Sequence, residues 1–72
     1  MKRMVNGVEV EIPEQGNGMV RAGDVRKVAN IAPNRSLVLS KPGGENKVLF
    51  DEETFYFQPD FQVIDQPISE RG

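Results

Sequence analysis

The sequence predicts one small α+β domain, a mixed sheet of about five strands packed on one short helix, with a polar tail behind it. Three observations carry that expectation. An Asn-Gly pair divides two strand-like runs near the amino terminus, a single apolar stripe at helical spacing lies between residues 21 and 29, and short apolar runs separated by glycine and proline continue to Ile64.

The first element is a β-hairpin. Asn6-Gly7 supplies the positive φ angles of a two-residue type I′ turn, whose twist matches that of the strands on either side. Val8, Val10 and Ile12 alternate with Glu9 and Glu11, so this strand buries one face and wets the other. Pro13-Glu14-Gln15-Gly16-Asn17-Gly18 is rich in breakers and reads as a loop crossing the sheet. Its Gly-Asn-Gly is a poor phosphate cradle, because neither a Lys-Ser nor a Lys-Thr pair follows it.

Ala22, Val25, Val28 and Ala29 place one apolar stripe on a helix from Arg21 to Ala29. Asp24 near its start and Arg26 and Lys27 near its end suit the helix dipole. Asn30 can take the left-handed conformation that closes a helix, Ile31 can fold back on it, and Pro33 forbids continuation. A helix this short holds only by packing on a sheet.

Ser36-Leu37-Val38-Leu39-Ser40 is a nearly continuous apolar strand, which implies burial on both faces near the sheet centre. Lys41 to Asn46 is a turn and Lys47-Val48-Leu49-Phe50 the returning strand. From Asp51 an irregular segment follows, in which Phe55 and Phe57 anchor into the core and Tyr56 faces out. Phe61-Gln62-Val63-Ile64 is the last strand. The domain therefore spans 1–64, and the polar, proline-interrupted stretch 65–72 reads as a flexible tail. The order strand, strand, helix, strand, short strand, irregular turn, strand is that of a β-grasp.

Composition narrows the chemistry. Seventy-two residues leave room for one domain and no generous cavity. With neither cysteine nor histidine, thiolate and imidazole catalysis, disulfides and structural zinc are all outside its means. A nucleophile, base and orienting group cannot be assembled from what is left, so the chain is not expected to be an enzyme or to carry a cofactor. A net charge of −2 with dispersed basic residues argues against nucleic acid. Met1-Lys2-Arg3-Met4-Val5 lacks the apolar stretch of a signal peptide, which reads as a cytoplasmic protein with no membrane partner. Basic residues gather in the first half and acidic ones late, either a solvated surface or a charged docking face.

Val5-Asn6-Gly7 in the hairpin, Ala22 to Pro33 in and after the helix, and the triplet Asp51-Glu52-Glu53 together resemble the bacterial multiubiquitin-type ubiquitin-like domains. The resemblance spans roughly Val5 to Val63 and rests on the order and spacing of these motifs. It implies a ubiquitin-like β-grasp and a modifier joined to a target protein through its terminal carboxylate. It also implies the partners of that family, namely ubiquitin-activating-like and conjugating-like enzymes and a deconjugating protease, encoded in operons serving antiphage defence. The family's functional position maps to Gly72, although Arg71-Gly72 replaces the double glycine of eukaryotic ubiquitin.

A terminal glycine suits such chemistry because no side chain crowds the reacting carbon. The stretch 65–72, roughly 25 Å if fully extended, can enter a narrow channel, and Pro67 stiffens its base. Arg71 can pair with an acidic group in an activating enzyme, and solvent-facing members of Leu37, Leu39 and Val48 can form a partner-binding apolar patch like the sheet face of ubiquitin. A non-covalent interaction domain, or a sulfur carrier, are the competing functions. Asp51, Glu52, Glu53 and Asp60 lack the spacing of a calcium loop and read as turn and surface residues. Phe55, Tyr56, Phe57 and Phe61 lack the basic neighbours of a base-stacking platform and read as core anchors.

Overall fold

The computed structural model describes residues 1–68. Asn6 and Gly7 take φ values of 52° and 79°, the two left-handed positions that a type I′ turn requires. They join β1 (Lys2–Val5) to β2 (Val8–Glu11), with Val5 opposite Val8. The hairpin is the one anticipated, but of the face expected to be buried only Ile12 is, while Val8 beside the turn is exposed.

Past Ile12 the chain makes a third strand that the sequence pattern does not announce, β3 (Met19–Arg21). Gly16, Asn17 and Gly18 all have positive φ, and the tight reversal they make is closed by the Met19 N–H donating to the Gly16 carbonyl. Only Val20 of the strand is fully buried, so three residues carry too little periodicity to be read.

Helix α1 (Ala22–Val28) follows at once, with Ala22 and Val25 in the core. Its carboxyl end closes as a Schellman motif: Ile31 N–H reaches the Arg26 carbonyl at 3.0 Å and Asn30 N–H the Lys27 carbonyl at 3.2 Å, with Asn30 at φ 60°. Asn30 and Ile31 thus do what their types suggest. The amino end is closed differently. Arg21 offers no side-chain cap, and the free N–H groups of Ala22 and Gly23 donate instead to the carbonyls of Glu53 and Asp51, each at 2.9 Å. A Cβ built on Gly23 lies 3.1 Å from the Asp51 carbonyl oxygen, so glycine lets the acidic turn approach this closely.

β4 (Arg35–Ser40) pairs with β5 (Asn46–Leu49). Leu37, Val38 and Leu39 are all buried, in keeping with a strand flanked on both sides. The returning strand ends one residue short of expectation, at Leu49, and the Phe50 N–H, on the side away from β4, bonds the Glu53 carboxylate. The segment read as irregular contains β6 (Thr54–Tyr56), which pairs with β3 in a separate two-stranded sheet. Phe55 and Phe57 are buried and Tyr56 exposed, as anticipated.

The last strand, β7 (Gln62–Pro67), corrects the boundary placed after Ile64. Asp65, Gln66 and Pro67, assigned to the tail, lie opposite Leu37, Ser36 and Arg35. Ladder pairing uses the main chain and needs no apolar side chains. The Asp65 N–H donates to Asn6 Oδ1, and the Asp65 carboxylate pairs with Arg35. Pro67 is therefore the final ladder residue and not the stiffened base of a free tail. Ser69 to Gly72 fall outside the described residues.

The main sheet runs β2-β1-β7-β4-β5, with β1 and β7 parallel and the other pairs antiparallel. One mixed five-stranded sheet covered by one short helix is an α+β architecture consistent with a β-grasp-like fold. Val5, Ile12, Leu37, Leu39, Leu49 and Val63 meet Val20, Ala22, Val25, Phe55 and Phe57 in a single core.

Candidate functional site

Strand alternation divides the partner-binding residues expected from sequence. Leu37 and Leu39 point into the core and are 0% and 2% exposed, which removes both from any surface patch. Val48 is 52% exposed and stays. Its neighbours on the opposite face are residues the sequence reading passed over. Val38 stands opposite both Val48 and Ile64, so the three form one row across β5, β4 and β7. The signal was present in the run itself, since Val38 lies between two core leucines and must face the other way. Phe50 and Ile68, both exposed, adjoin this face where they line a shallow depression with Ser36, Val48 and Glu52.

Around it the polar groups are largely committed to one another. The Asp65 carboxylate is held below the usual range by the Arg35 guanidinium, helped by Asn6. Lys47 Nζ and the Phe50 N–H, each 2.8 Å from the Glu53 carboxylate, lower Glu53 in the same way. On β2, the terminal amine of Met1 lowers Glu11 through a 3.0 Å contact. All three shifts have one sign. Each carboxylate contributes stability that is present above its unfolded pKa and lost as pH falls through its lowered folded value. The urea midpoint should therefore drop between pH 7 and about pH 3, and by less in a variant carrying both Glu53→Gln and Asp65→Asn.

The other sequence candidates are dispersed. Asp51 pairs with Arg26 at 3.1 Å and Glu53 is engaged as above, while Asp60 lies beyond β6. No group of three or more carboxylates arranged to hold a metal occurs among the described residues. Of the aromatics, Phe55 and Phe57 pack ring to ring at 5.4 Å inside the core. Phe61 is half-buried under Lys41, whose Nζ lies 5.7 Å from the ring centroid. Among the described residues no helix is long and apolar enough to cross a membrane. Gly72 and Arg71 lie outside the described residues.

No protein-family model, no curated protein and no solved structure matches the chain. The row Val48, Val38 and Ile64 is therefore read on its own chemistry. Val38 in its middle is buried, and the apolar exposure of this face comes from Val48, Phe50 and Met4, enough for contact with another protein. Val48→Asp, at a half-exposed strand position opposite Val38, should lower unfolding free energy by about 1 kcal/mol, measured by urea titration, and should weaken any partner that uses this face.

Proposed function

We propose that this chain is a ubiquitin-like protein modifier, activated at the carboxylate of Gly72 by a separate enzyme and joined to a lysine of a target protein. The observation that carries the reading is the course of β7. It runs between β1 and β4 and leads the backbone, at Pro67 and Ile68, to the margin of the apolar face bearing Val48 and Phe50. An enzyme that takes the chain end then has firm apolar surface beside it to grip. The motif resemblance adds the rest of the apparatus: activating-like and conjugating-like enzymes, a deconjugating protease, and a setting in antiphage defence.

The chemistry asks little of the modifier. Its carboxylate attacks ATP at the α-phosphate, releasing pyrophosphate and leaving an acyl adenylate. A cysteine thiolate of the enzyme displaces AMP to form a thioester, and the target amine displaces that thiolate to leave an amide. Every nucleophile after the first belongs to another protein. That division of labour suits a chain with no cysteine and no histidine.

The test is incubation of the purified chain with ATP and the activating-like enzyme encoded nearest to it, followed by non-reducing electrophoresis. A thiol-sensitive adduct of chain and enzyme is expected. If, with a sulfide donor added to displace AMP and the chain end read by mass spectrometry, the only product is a terminal thiocarboxylate, the sulfur-carrier function replaces this one. The exposed Val48, in line with the half-buried Ile64, also fits a non-covalent interaction domain. In that case partner binding survives removal of 69–72 and is lost in Val48→Asp.

A further inference from the structure

The two edges of the main sheet are protected unequally. In an antiparallel ladder, residues alternate between those that bond the neighbouring strand and those whose N–H and C=O point away from it. The Lys41 N–H donates to the Glu45 carbonyl at 2.9 Å. Continuing the register, Leu39 with Lys47 and Leu37 with Leu49 are the bonded pairs. The main-chain groups of Asn46, Val48 and Phe50 therefore face outward at the β5 edge. Phe50 confirms the parity, since its N–H and carbonyl are both turned away from β4 and taken by Glu53, through Oε1 at 2.8 Å and the Glu53 N–H at 3.0 Å.

By the same counting, the outward residues of β2 are Glu9 and Glu11, two carboxylates that repel an incoming strand edge. At β5 the outward residues beyond Asn46 are Val48 and Phe50, apolar and 52% and 68% exposed. An exposed apolar edge of this kind is a template for strand pairing. What closes its N–H is one side chain, that of Glu53, tied down by Lys47 at 2.8 Å.

We propose that Glu53 is an edge guard: by occupying the main chain of Phe50 it prevents β5 from pairing antiparallel with β5 of a second copy of this chain. Charge selects the register. Pairing Asn46 with Val48 of the second copy sets Lys47 directly against Lys47 in a close pair, and like charges so placed repel. The next register puts Val48 on the two-fold axis and Asn46 opposite Phe50, with Lys47 facing Leu49. It is closed and symmetric and covers Val48 and Phe50 on both copies. It also needs the Phe50 N–H, which the Glu53 carboxylate holds, and the Phe50 carbonyl, which keeps a second lone pair for the new strand while the Glu53 main-chain N–H uses the first. The charged groups about the Glu53 carboxylate are Lys47 on β5 and its turn neighbours Asp51 and Glu52, with Asp51 already paired to Arg26 of α1. Protonating Glu53 weakens the tie to Lys47 and favours release.

Sedimentation equilibrium and amide exchange on the 72-residue chain at neutral pH test this. The unaltered chain should be monomeric with a protected Phe50 amide. Glu53→Ala should exchange that amide about tenfold faster and form a dimer, and adding Val48→Lys, which sets two lysines at the two-fold axis, should restore the monomer. A folded Glu53→Ala chain that stays monomeric at the same concentrations overturns the proposal. So does a dimer indifferent to Val48→Lys. If Glu53→Ala does not fold, the unaltered chain decides: on acidification the Phe50 amide resonance should move with the Glu53 carboxyl titration and self-association should rise. A Phe50 amide that ignores that titration overturns the guard.

Discussion

Phe57→Ala is expected to lower the unfolding free energy by about 3–5 kcal/mol, the range for emptying a buried aromatic site. Phe57 is among the largest fully buried side chains, 1% exposed, and its ring stacks at a tilt on Phe55. Its main chain is also fixed: the carbonyl accepts from Arg3 Nε at 2.6 Å and the N–H donates to the Gly18 carbonyl at 3.2 Å. Neighbouring backbone therefore has little freedom to collapse into the space left. A domain of this size is stable by only about 4–10 kcal/mol, so the loss amounts to a large share of the total. Urea unfolding followed by circular dichroism measures it. A midpoint shift no larger than that of Val48→Asp would mean that Phe57 does not anchor the β6 side of the core.

Deleting Gly72 should abolish formation of both adenylate and thioester while leaving the urea midpoint unchanged. The expectation joins two separate statements. The core of the described residues closes with β7, whose last ladder residue is Pro67, and the urea midpoint is expected to hold without Gly72. The reaction, by contrast, needs a carboxylate on an unhindered carbon, and the deletion presents Arg71 there instead. Gly72→Ala should retain partial activity, because a methyl group hinders the channel without removing the acid. Full thioester yield from the deletion would remove Gly72 from the reaction, and a large loss of stability would show that the end of the chain is part of the fold.

Much of the fold was legible because its local signals agree with one another. Asn6-Gly7 permits one hairpin geometry, and the spacing from Ala22 to Ala29 with Asn30, Ile31 and Pro33 behind it permits little but a short closed helix. Both are found. The parts that escaped reading are held by main-chain partners distant in sequence. β3 and β6 are three residues each and exist through one another. Asp65 to Pro67 look like tail because they are polar, yet the ladder to β4, with Asn6 and Arg35 attending Asp65, carries the strand on. The helix start is equally silent, since its cap comes from the carbonyls of Asp51 and Glu53 and not from a nearby side chain.

The surface was legible only in part for a related reason. The apolar run Leu37-Val38-Leu39 announces burial, but which members face the helix depends on register with β5 and β7. Leu37 and Leu39 went into the core, and Val38 faces the other way in line with Val48 and Ile64, where it too is buried. Asp51-Glu52-Glu53 looked like surface charge. Asp51 and Glu52 do form an exposed turn, and two of the three also work as fasteners, Asp51 to Arg26 and Gly23, and Glu53 to Lys47, Phe50 and Ala22.

Covalent attachment through Gly72 is tested by tryptic mass spectrometry of proteins co-purifying under denaturing conditions with an amino-terminally tagged chain. Trypsin cuts after Arg71, so each attachment leaves a single glycyl group on a target lysine. Glycyl-modified lysines that disappear when Gly72 is deleted are the predicted result. Their absence from cells that contain the activating-like and conjugating-like enzymes, or their persistence after the deletion, would contradict the account.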